Sequence, residues 1–115
     1  MTELTVVYYV APDGSAPFEQ WFRSLGHVEA AKVIVAMDRV AAGNLSNVKS
    51  VGASVLEVRI HYGPGYRVYF GRDGDRIIVL LGGGTKQRQQ RDIEAARDAW
   101  QEYRNRRSRM RQQEE

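Results

Sequence analysis

The sequence predicts an α+β domain whose elements follow the order β-α-α-β-β-β-α. Three observations support this prediction: strand-like runs separated by turn residues fill residues 55–81, apolar residues recur at helical spacing on both sides of that region, and the 115-residue chain has the length of one ordinary domain. We expect a single domain over 1–115, with a mainly antiparallel four-stranded sheet, an N-terminal helical hairpin on one side and a C-terminal helix.

The first strand and two helices account for the N-terminal part of the chain. Leu4 to Val10 is rich in β-branched and aromatic residues and stops at the turn residues Ala11 to Gly14. Ser15 can cap the next helix, which runs up to Gly26. A second helix ends near Gly43, where a left-handed residue commonly terminates helices. The apolar residues that define the two helices are Phe18, Trp21, Phe22 and Leu25, then Ala30, Val33, Ile34, Met37, Val40 and Ala41.

Two β-hairpins follow a polar connection over Asn44 to Gly52. A first turn at Gly63-Pro64-Gly65 places Tyr62 opposite Tyr66, and side chains then alternate between two faces. One face is apolar: Leu56, Val58, Ile60, Tyr62, Tyr66, Val68 and Phe70. The other is polar, with Arg59 opposite Tyr69 and Arg67 opposite His61: Glu57, Arg59, His61, Arg67 and Tyr69.

The second hairpin turns at Asp73-Gly74, within Arg72 to Asp75. This register places Phe70 opposite Ile77, Val68 opposite Val79 and Arg67 opposite Leu80. Ile78 and Leu80 then lie beside the basic residues, so part of that face needs an apolar cover. The last helix, capped by Thr85, supplies it through apolar residues at helical spacing: Ile93, Ala96, Trp100 and Tyr103.

Composition excludes several classes of site. With no cysteine and two distant histidines, the chain lacks a disulfide framework, a thiolate metal site and a convincing zinc site, so we expect no metal or other cofactor. The longest aliphatic run, Ile77 to Leu81, is too short to cross a bilayer, and Thr2 and Glu3 do not start a signal peptide. We expect a soluble, cytoplasmic protein with no membrane partner.

Positive charge is concentrated near the C-terminus, although the net charge is only +3. Residues 86–111 are rich in arginine, which suits bidentate contacts with phosphates. The alternative is a solvated helix end favoured by the macrodipole, and it is the preferred interpretation for Arg104 to Glu115. The basic residues are Lys86, Arg88, Arg91, Arg97, Arg104, Arg106, Arg107, Arg109 and Arg111.

The polar hairpin face carries the candidate chemistry. Arg59 and Arg67 can clamp one phosphodiester and stabilise a phosphorane, or they can pair with Glu57 or lie over Tyr69. Glu57 can accept a proton from a ribose 2′-hydroxyl or serve as an ion-pair partner. His61 suits acid–base work near neutrality, or it is simply exposed. Tyr69 can stack on a base or pack across strands.

A glycine run precedes the last helix. Gly82 to Gly84, followed by Thr85 and Lys86, places backbone N–H groups and a lysine where an anion is favoured. The spacing is not that of a nucleotide P-loop. The motif therefore predicts a phosphate contact of unspecified identity.

Four segments together carry a family likeness: Leu56 to Ile60, Gly65 to Phe70, Ile78 to Lys86 and Gln90 to Ala96. In these segments, and in the order of its elements from about Val7 to Arg106, the chain resembles the RelE/ParE toxin superfamily, specifically the HigB-like addiction module killer proteins. The resemblance implies a RelE-like fold. It also implies a bacterial type II toxin that cleaves messenger RNA on the ribosome as a metal-independent endoribonuclease, through attack of the 2′-oxygen.

The resemblance further implies partners and site residues. A cognate antitoxin would hold the toxin inactive, and the complex would bind operator DNA through the antitoxin. Arg67 matches the family's phosphate-binding arginine, Arg59 a basic residue on the neighbouring strand, and Lys86 the basic position after the last strand. We assign Glu57 and His61 to catalysis with these three residues. Substrate binding is assigned to Arg88, Tyr69 and Arg91.

One departure from the family keeps alternatives open. Several ribonuclease members place a tyrosine or histidine early in the last helix, whereas Gln87 to Asp92 offers neither. Glu57 or His61 then serves as the general acid or base, or catalysis relies on charge stabilisation, or the chain does not cleave RNA. The alternatives are a ParE-like DNA gyrase inhibitor and a non-catalytic RNA-binding or interaction module. The stretch from Arg104 to Glu115 contacts ribosomal RNA or is disordered.

Overall fold

The computed structural model of the protein describes residues 4–114 and confirms the α+β class. Five strands and three α-helices follow in the order β-α-α-β-β-β-β-α, and none of the helices in this range is long and apolar enough to span a membrane. The strands are β1 (Thr5–Tyr8), β2 (Val48–Ser50), β3 (Leu56–Ile60), β4 (Tyr66–Asp73) and β5 (Ile77–Thr85). The helices are α1 (Pro17–Arg23), α2 (His27–Ala41) and α3 (Gln89–Glu114), the last preceded by a 3₁₀ turn over Lys86–Arg88.

The sheet has five strands in the order β1-β5-β4-β3-β2, so the prediction of four strands is wrong. The additional strand, β2, lies in the segment that was expected to be a polar connection and pairs antiparallel with β3. β1 pairs parallel with β5, while the β3–β4 and β4–β5 pairs are antiparallel. The sheet is therefore mixed, with β1 paired in parallel at one edge and the antiparallel strands in succession beside it.

The first hairpin has the predicted faces but a different register. Ile60 instead of Tyr62 pairs with Tyr66, and the connection spans the five residues 61–65. Arg59 consequently lies directly opposite Arg67, and Glu57 lies opposite Tyr69. Since the pairing differs from the predicted one by two residues, and side chains alternate with period two, each residue keeps its predicted face.

The second hairpin inverts the predicted faces of β5. A three-residue turn over 74–76 pairs Asp73 with Ile77 and Phe70 with Leu80, and a bulge between Tyr69 and Phe70 shifts the pairing once more. Near the turn the register thus differs by three residues, an odd number, which exchanges the faces. Ile78 and Leu80 are core residues beside Phe70 and do not lie beside the basic residues, as had been expected.

Each face of the sheet has its own apolar core. On one face, α1 and α2 pack over residues of β3, β4 and β5. The two helices contact different strands, α1 lying against β5 and α2 against β3, so they differ from the predicted helical hairpin. Ala16, not Ser15, is the N-cap of α1, and its methyl side chain cannot accept a capping hydrogen bond. The Ser15 hydroxyl donates to Asp13 Oδ1 instead. Gly43 adopts φ +94° just after α2, as predicted.

α3 covers the other face as predicted, but it packs on Tyr69, Val79 and Leu81 and not on Ile78 and Leu80. Ile93, Ala96 and Trp100 are buried against the sheet, and Tyr103 packs beside them. Trp100 lies flat on Gly71 of β4, where a Cβ would stand 2.6 Å from the indole ring. Thr85 precedes the 3₁₀ turn without a side-chain cap. α3 continues through the arginine-rich stretch to Glu114.

Candidate functional site

A small cavity opens where β3 and β4 meet the start of α3, and we call it the Arg67 cavity. Its volume is about 290 Å³. Four of the predicted site residues line it: Arg59, His61, Arg67 and Lys86. Lys49 and Gln89, which the sequence reasoning missed, line it as well. The polar side chains of this cavity are therefore almost all hydrogen-bond donors or cations.

Arg67 is the buried centre of this cavity. The residue is only 4% exposed, and its Nε and Nη1 atoms are buried without a hydrogen-bond partner among the described residues. Arg59 pairs with Arg67 from the neighbouring strand β3. Gly65 has a positive φ of +84°, and the loop backbone at this glycine passes beside the guanidinium of Arg67. Buried donors without hydrogen-bond partners are uncommon in native proteins, and the residue that carries them lines a cavity of a size and charge that suit an anion.

Glu57 lies beneath the cavity and is 1% exposed. Its Oε1 atom is 3.8 Å from Arg67 Nε and 3.7 Å from Lys49 Nζ, and its Oε2 atom accepts a 3.0 Å hydrogen bond from Gln89 Nε2. This geometry matches the ion-pair interpretation of Glu57. Lys49 was missed because its segment had been assigned to a loop, whereas a β2 strand pairs Lys49 with Glu57.

Tyr69 is fully buried under α3, so its ring cannot stack on a base in this structure. The alternative interpretation, packing across strands, agrees with its place in the core beside Val79 and Leu81. Burial, reinforced by the nearby charge of Glu57, raises the pKa of the Tyr69 hydroxyl above its usual value. Tyr69 is therefore a neutral structural residue at physiological pH.

The remaining predicted residues do not all converge on the Arg67 cavity. Arg88 lines a different cleft of about 550 Å³, together with Trp21 and Asp92. Burial raises the pKa of the Asp92 carboxyl, although Arg88 and Arg91 oppose the shift. Arg91 is exposed and lines neither cavity. Of the two basic residues in the 3₁₀ turn, Lys86 thus lines the Arg67 cavity and Arg88 lines the other cleft.

His61 is exposed at the rim of the Arg67 cavity. Together with Arg59 it also borders a groove of about 610 Å³ that runs along α2. Its imidazole is therefore reachable from solvent and close to the arginine pair. Within residues 4–114, no three His, Asp or Glu side chains are grouped so that they could hold a metal ion.

Two comparisons with known proteins bear on this site. The family described as "Phage derived protein Gp49-like (DUF891)" matches residues 20–104, a range that contains the whole Arg67 cavity. An uncharacterized protein of Haemophilus influenzae is 37% identical over 81 residues, which make up 70% of this chain and 82% of that protein.

Proposed function

Because this chain belongs to the phage-derived Gp49-like family, we propose that it is the toxin of a type II toxin–antitoxin system and acts as a ribosome-dependent endoribonuclease. The family is toxin-like, of the RelE/HigB type. The observation that carries the proposal is the buried Arg67 guanidinium, whose unpartnered donors lie in a cavity lined by further cations. A RelE-like version of the α+β fold is part of the proposal.

The substrate group of the cavity is a phosphodiester. Four cationic side chains line it, and among the described residues the buried Glu57 is the one carboxylate that pairs with any of them, namely Lys49 and Arg67. The cations are Lys49, Arg59, Arg67 and Lys86. In a site partly withdrawn from water, fixed guanidinium donors stabilise the extra negative charge of a phosphorane more than they stabilise the ground state.

The proposed reaction is an internal transesterification of RNA. The ribose 2′-oxygen attacks the adjacent phosphorus, the bond to the 5′-oxygen breaks, and the products are a 2′,3′-cyclic phosphate and a 5′-hydroxyl. One proton leaves the 2′-hydroxyl and one reaches the leaving oxygen. His61 is the proposed proton-transfer group because it is reachable at the rim, whereas Glu57 is sealed beneath and acts by holding Arg67 and Lys49 in place.

The proposed partners follow from the family assignment. A cognate antitoxin would block the toxin, and the complex would bind operator DNA through the antitoxin. The ribosome would deliver messenger RNA to the Arg67 cavity and hold the scissile phosphate in line. Arg88 and Arg91 would then contact RNA or ribosome outside the cavity.

The test uses purified protein with translating ribosomes and a defined messenger RNA, and maps new RNA ends and their chemistry. We expect cuts within the reading frame that carry 2′,3′-cyclic phosphates. Arg59→Ala and Arg67→Gln should reduce cleavage at least 100-fold. Arg76→Ala removes an exposed arginine outside the cavity and serves as the matched control.

Each outcome decides between functions. A companion experiment induces the protein in bacteria and follows growth. Growth arrest without RNA cleavage would point to the gyrase-inhibiting alternative, which supercoiling assays on the same cells would detect. Cleavage that persists in both variants, with the folded state verified by circular dichroism, would remove the arginine pair from the mechanism. Soluble wild-type protein that neither arrests growth nor cuts RNA would favour the non-catalytic binding module.

A further inference from the structure

A second basic cavity lies towards the C-terminal end of α3, and we call it the distal cavity. It has a volume of about 570 Å³. Its lining includes four arginines and two serines: Arg72, Arg104, Arg107, Arg111, Ser54 and Ser108. Arg104, Arg107 and Arg111 are spaced three and four residues apart, so they form one stripe along α3 that faces Arg72 at the end of β4.

Among the described residues, one carboxylate lines this cavity, and it is already engaged. Asp73 Oδ2 accepts a 2.6 Å hydrogen bond from the Tyr103 hydroxyl and lies 3.0 Å from Arg107 Nε. Burial and this hydrogen bond raise the pKa of Tyr103 to about 12, so the phenol stays a donor at neutral pH. Asp73 therefore neutralises one arginine, which leaves three guanidinium groups of the cavity without an acidic partner among the described residues.

A buried donor also belongs to this cavity. Trp100 is 4% exposed, lines the cavity, and its indole N–H is buried without a hydrogen-bond partner among residues 4–114. A buried indole N–H normally finds an acceptor. Among the described residues none accepts from this N–H, so a residue that lines the cavity keeps an unsatisfied donor.

The loop that forms one wall is fixed in an unusual conformation. Ala53 and Ser54 adopt φ +56° and +65°, which non-glycine residues rarely do. Arg97 holds this loop through a 2.8 Å hydrogen bond from its Nε to the Val51 carbonyl. The wall that presents Ser54 is thus shaped before any ligand arrives.

We propose that the distal cavity is a second phosphate site that binds the phosphodiester backbone of a nucleic acid. Donors dominate its lining, and three guanidinium groups without acidic partners suit the oxygens of neighbouring phosphates. Gln89 lines the Arg67 cavity and Arg104 the distal one, so about 22 Å of helix separates them. The site anchors structured nucleic acid away from the point of cleavage. That this nucleic acid is RNA of the translation machinery rests on the proposed function.

The test compares two arginines of α3 that differ in their relation to the cavity. Arg111 and Arg109 are both exposed and two residues apart, but only Arg111 lines the distal cavity. We would measure binding of a fluorescein-labelled RNA hairpin, and of a DNA hairpin of the same sequence, at several salt concentrations. Arg111→Ala should weaken binding about three- to tenfold and lower the salt slope by about 1, whereas Arg109→Ala should change affinity less than twofold.

The outcomes separate this site from the proposed nuclease. Equal losses in Arg109→Ala and Arg111→Ala would show general charge attraction and overturn the site, as would a hairpin that fails to bind wild-type protein. If Arg111→Ala weakens binding and Arg109→Ala does not, the site is supported. Whichever hairpin binds the wild-type protein more tightly then identifies the preferred nucleic acid as RNA or DNA. Arg76→Ala, which removes an exposed arginine outside both cavities, should bind the hairpin like the wild type. Hairpin binding needs no cleavage, so a failed cleavage assay leaves this result intact.

Discussion

Replacing Glu57 by glutamine should destabilise the protein far more than an isosteric change usually does. The carboxylate is 1% exposed and is the acidic group that accompanies the guanidinium of Arg67, which is itself 4% exposed. Glutamine keeps the shape and can still accept the hydrogen bond from Gln89, so the variant removes charge and little else. The change leaves a buried cation without its counter-charge.

The expected size follows from this burial. Breaking a buried ion pair by removing one partner destabilises proteins by several kcal/mol, so we expect Glu57→Gln to lower the free energy of unfolding by about 3 kcal/mol. For a domain of this size, that corresponds to a fall in Tm of roughly 10 °C. Lys49 provides the matched control, because its side chain contacts the same carboxylate at 3.7 Å but is 57% exposed. Lys49→Ala should lower the stability by less than about 1 kcal/mol.

Urea unfolding followed by circular dichroism measures both variants. The double variant Glu57→Gln/Arg67→Met removes both buried charges and should be at least about 1 kcal/mol more stable than Glu57→Gln alone, because the orphaned cation is gone. Equal costs for Glu57→Gln and Lys49→Ala would refute the reasoning. So would a double variant that is less stable than Glu57→Gln, since the guanidinium would then be stabilised by other groups.

Three further predictions concern packing, pH and the site. Gly71→Ala should lower the free energy of unfolding by about 1–3 kcal/mol in urea denaturation, because its Cβ would stand 2.6 Å from the Trp100 ring, whereas Gly82→Ala meets nothing within 4 Å and should show no such overpacking loss. Tyr103 has its pKa raised to about 12 in the folded state, so its stabilising contribution is complete below the unfolded pKa near 10 and is lost as pH rises from 10 to 12. Between pH 8 and 11.5 the free energy of unfolding should therefore fall less steeply with rising pH for Tyr103→Phe than for the wild type. Parallel pH dependences would contradict this. Lys86→Ala should reduce RNA cleavage at least tenfold and Arg88→Ala by less than threefold, since only Lys86 lines the Arg67 cavity. Equal losses in the two cleavage rates would argue that both side chains reach the substrate.

Local patterns in the sequence determined the helices, every strand but β2, and the composition of the hairpin face. The alternation from Leu56 to Ile60 and from Tyr66 to Phe70 assigns each side chain to a face through the two-residue period of a strand, which needs no knowledge of the rest of the molecule. The first hairpin pairs two residues away from the predicted register, and an even shift preserves faces. Arg59 and Arg67 therefore meet as expected, even though their partners across the strands differ.

Only the tertiary structure decided the faces of β5 and the depth of the site. The three-residue turn shifts the pairing of β5 near the turn by three residues, an odd number that exchanges its faces, and the bulge between Tyr69 and Phe70 adds a further shift along the glycines 82–84, which carry no side chains whose pattern could reveal it. α3 then buries Tyr69, and β2 brings Lys49 to Glu57, through contacts between residues distant in sequence. Periodicity describes one strand at a time, whereas register and burial depend on which strand or helix lies beside it.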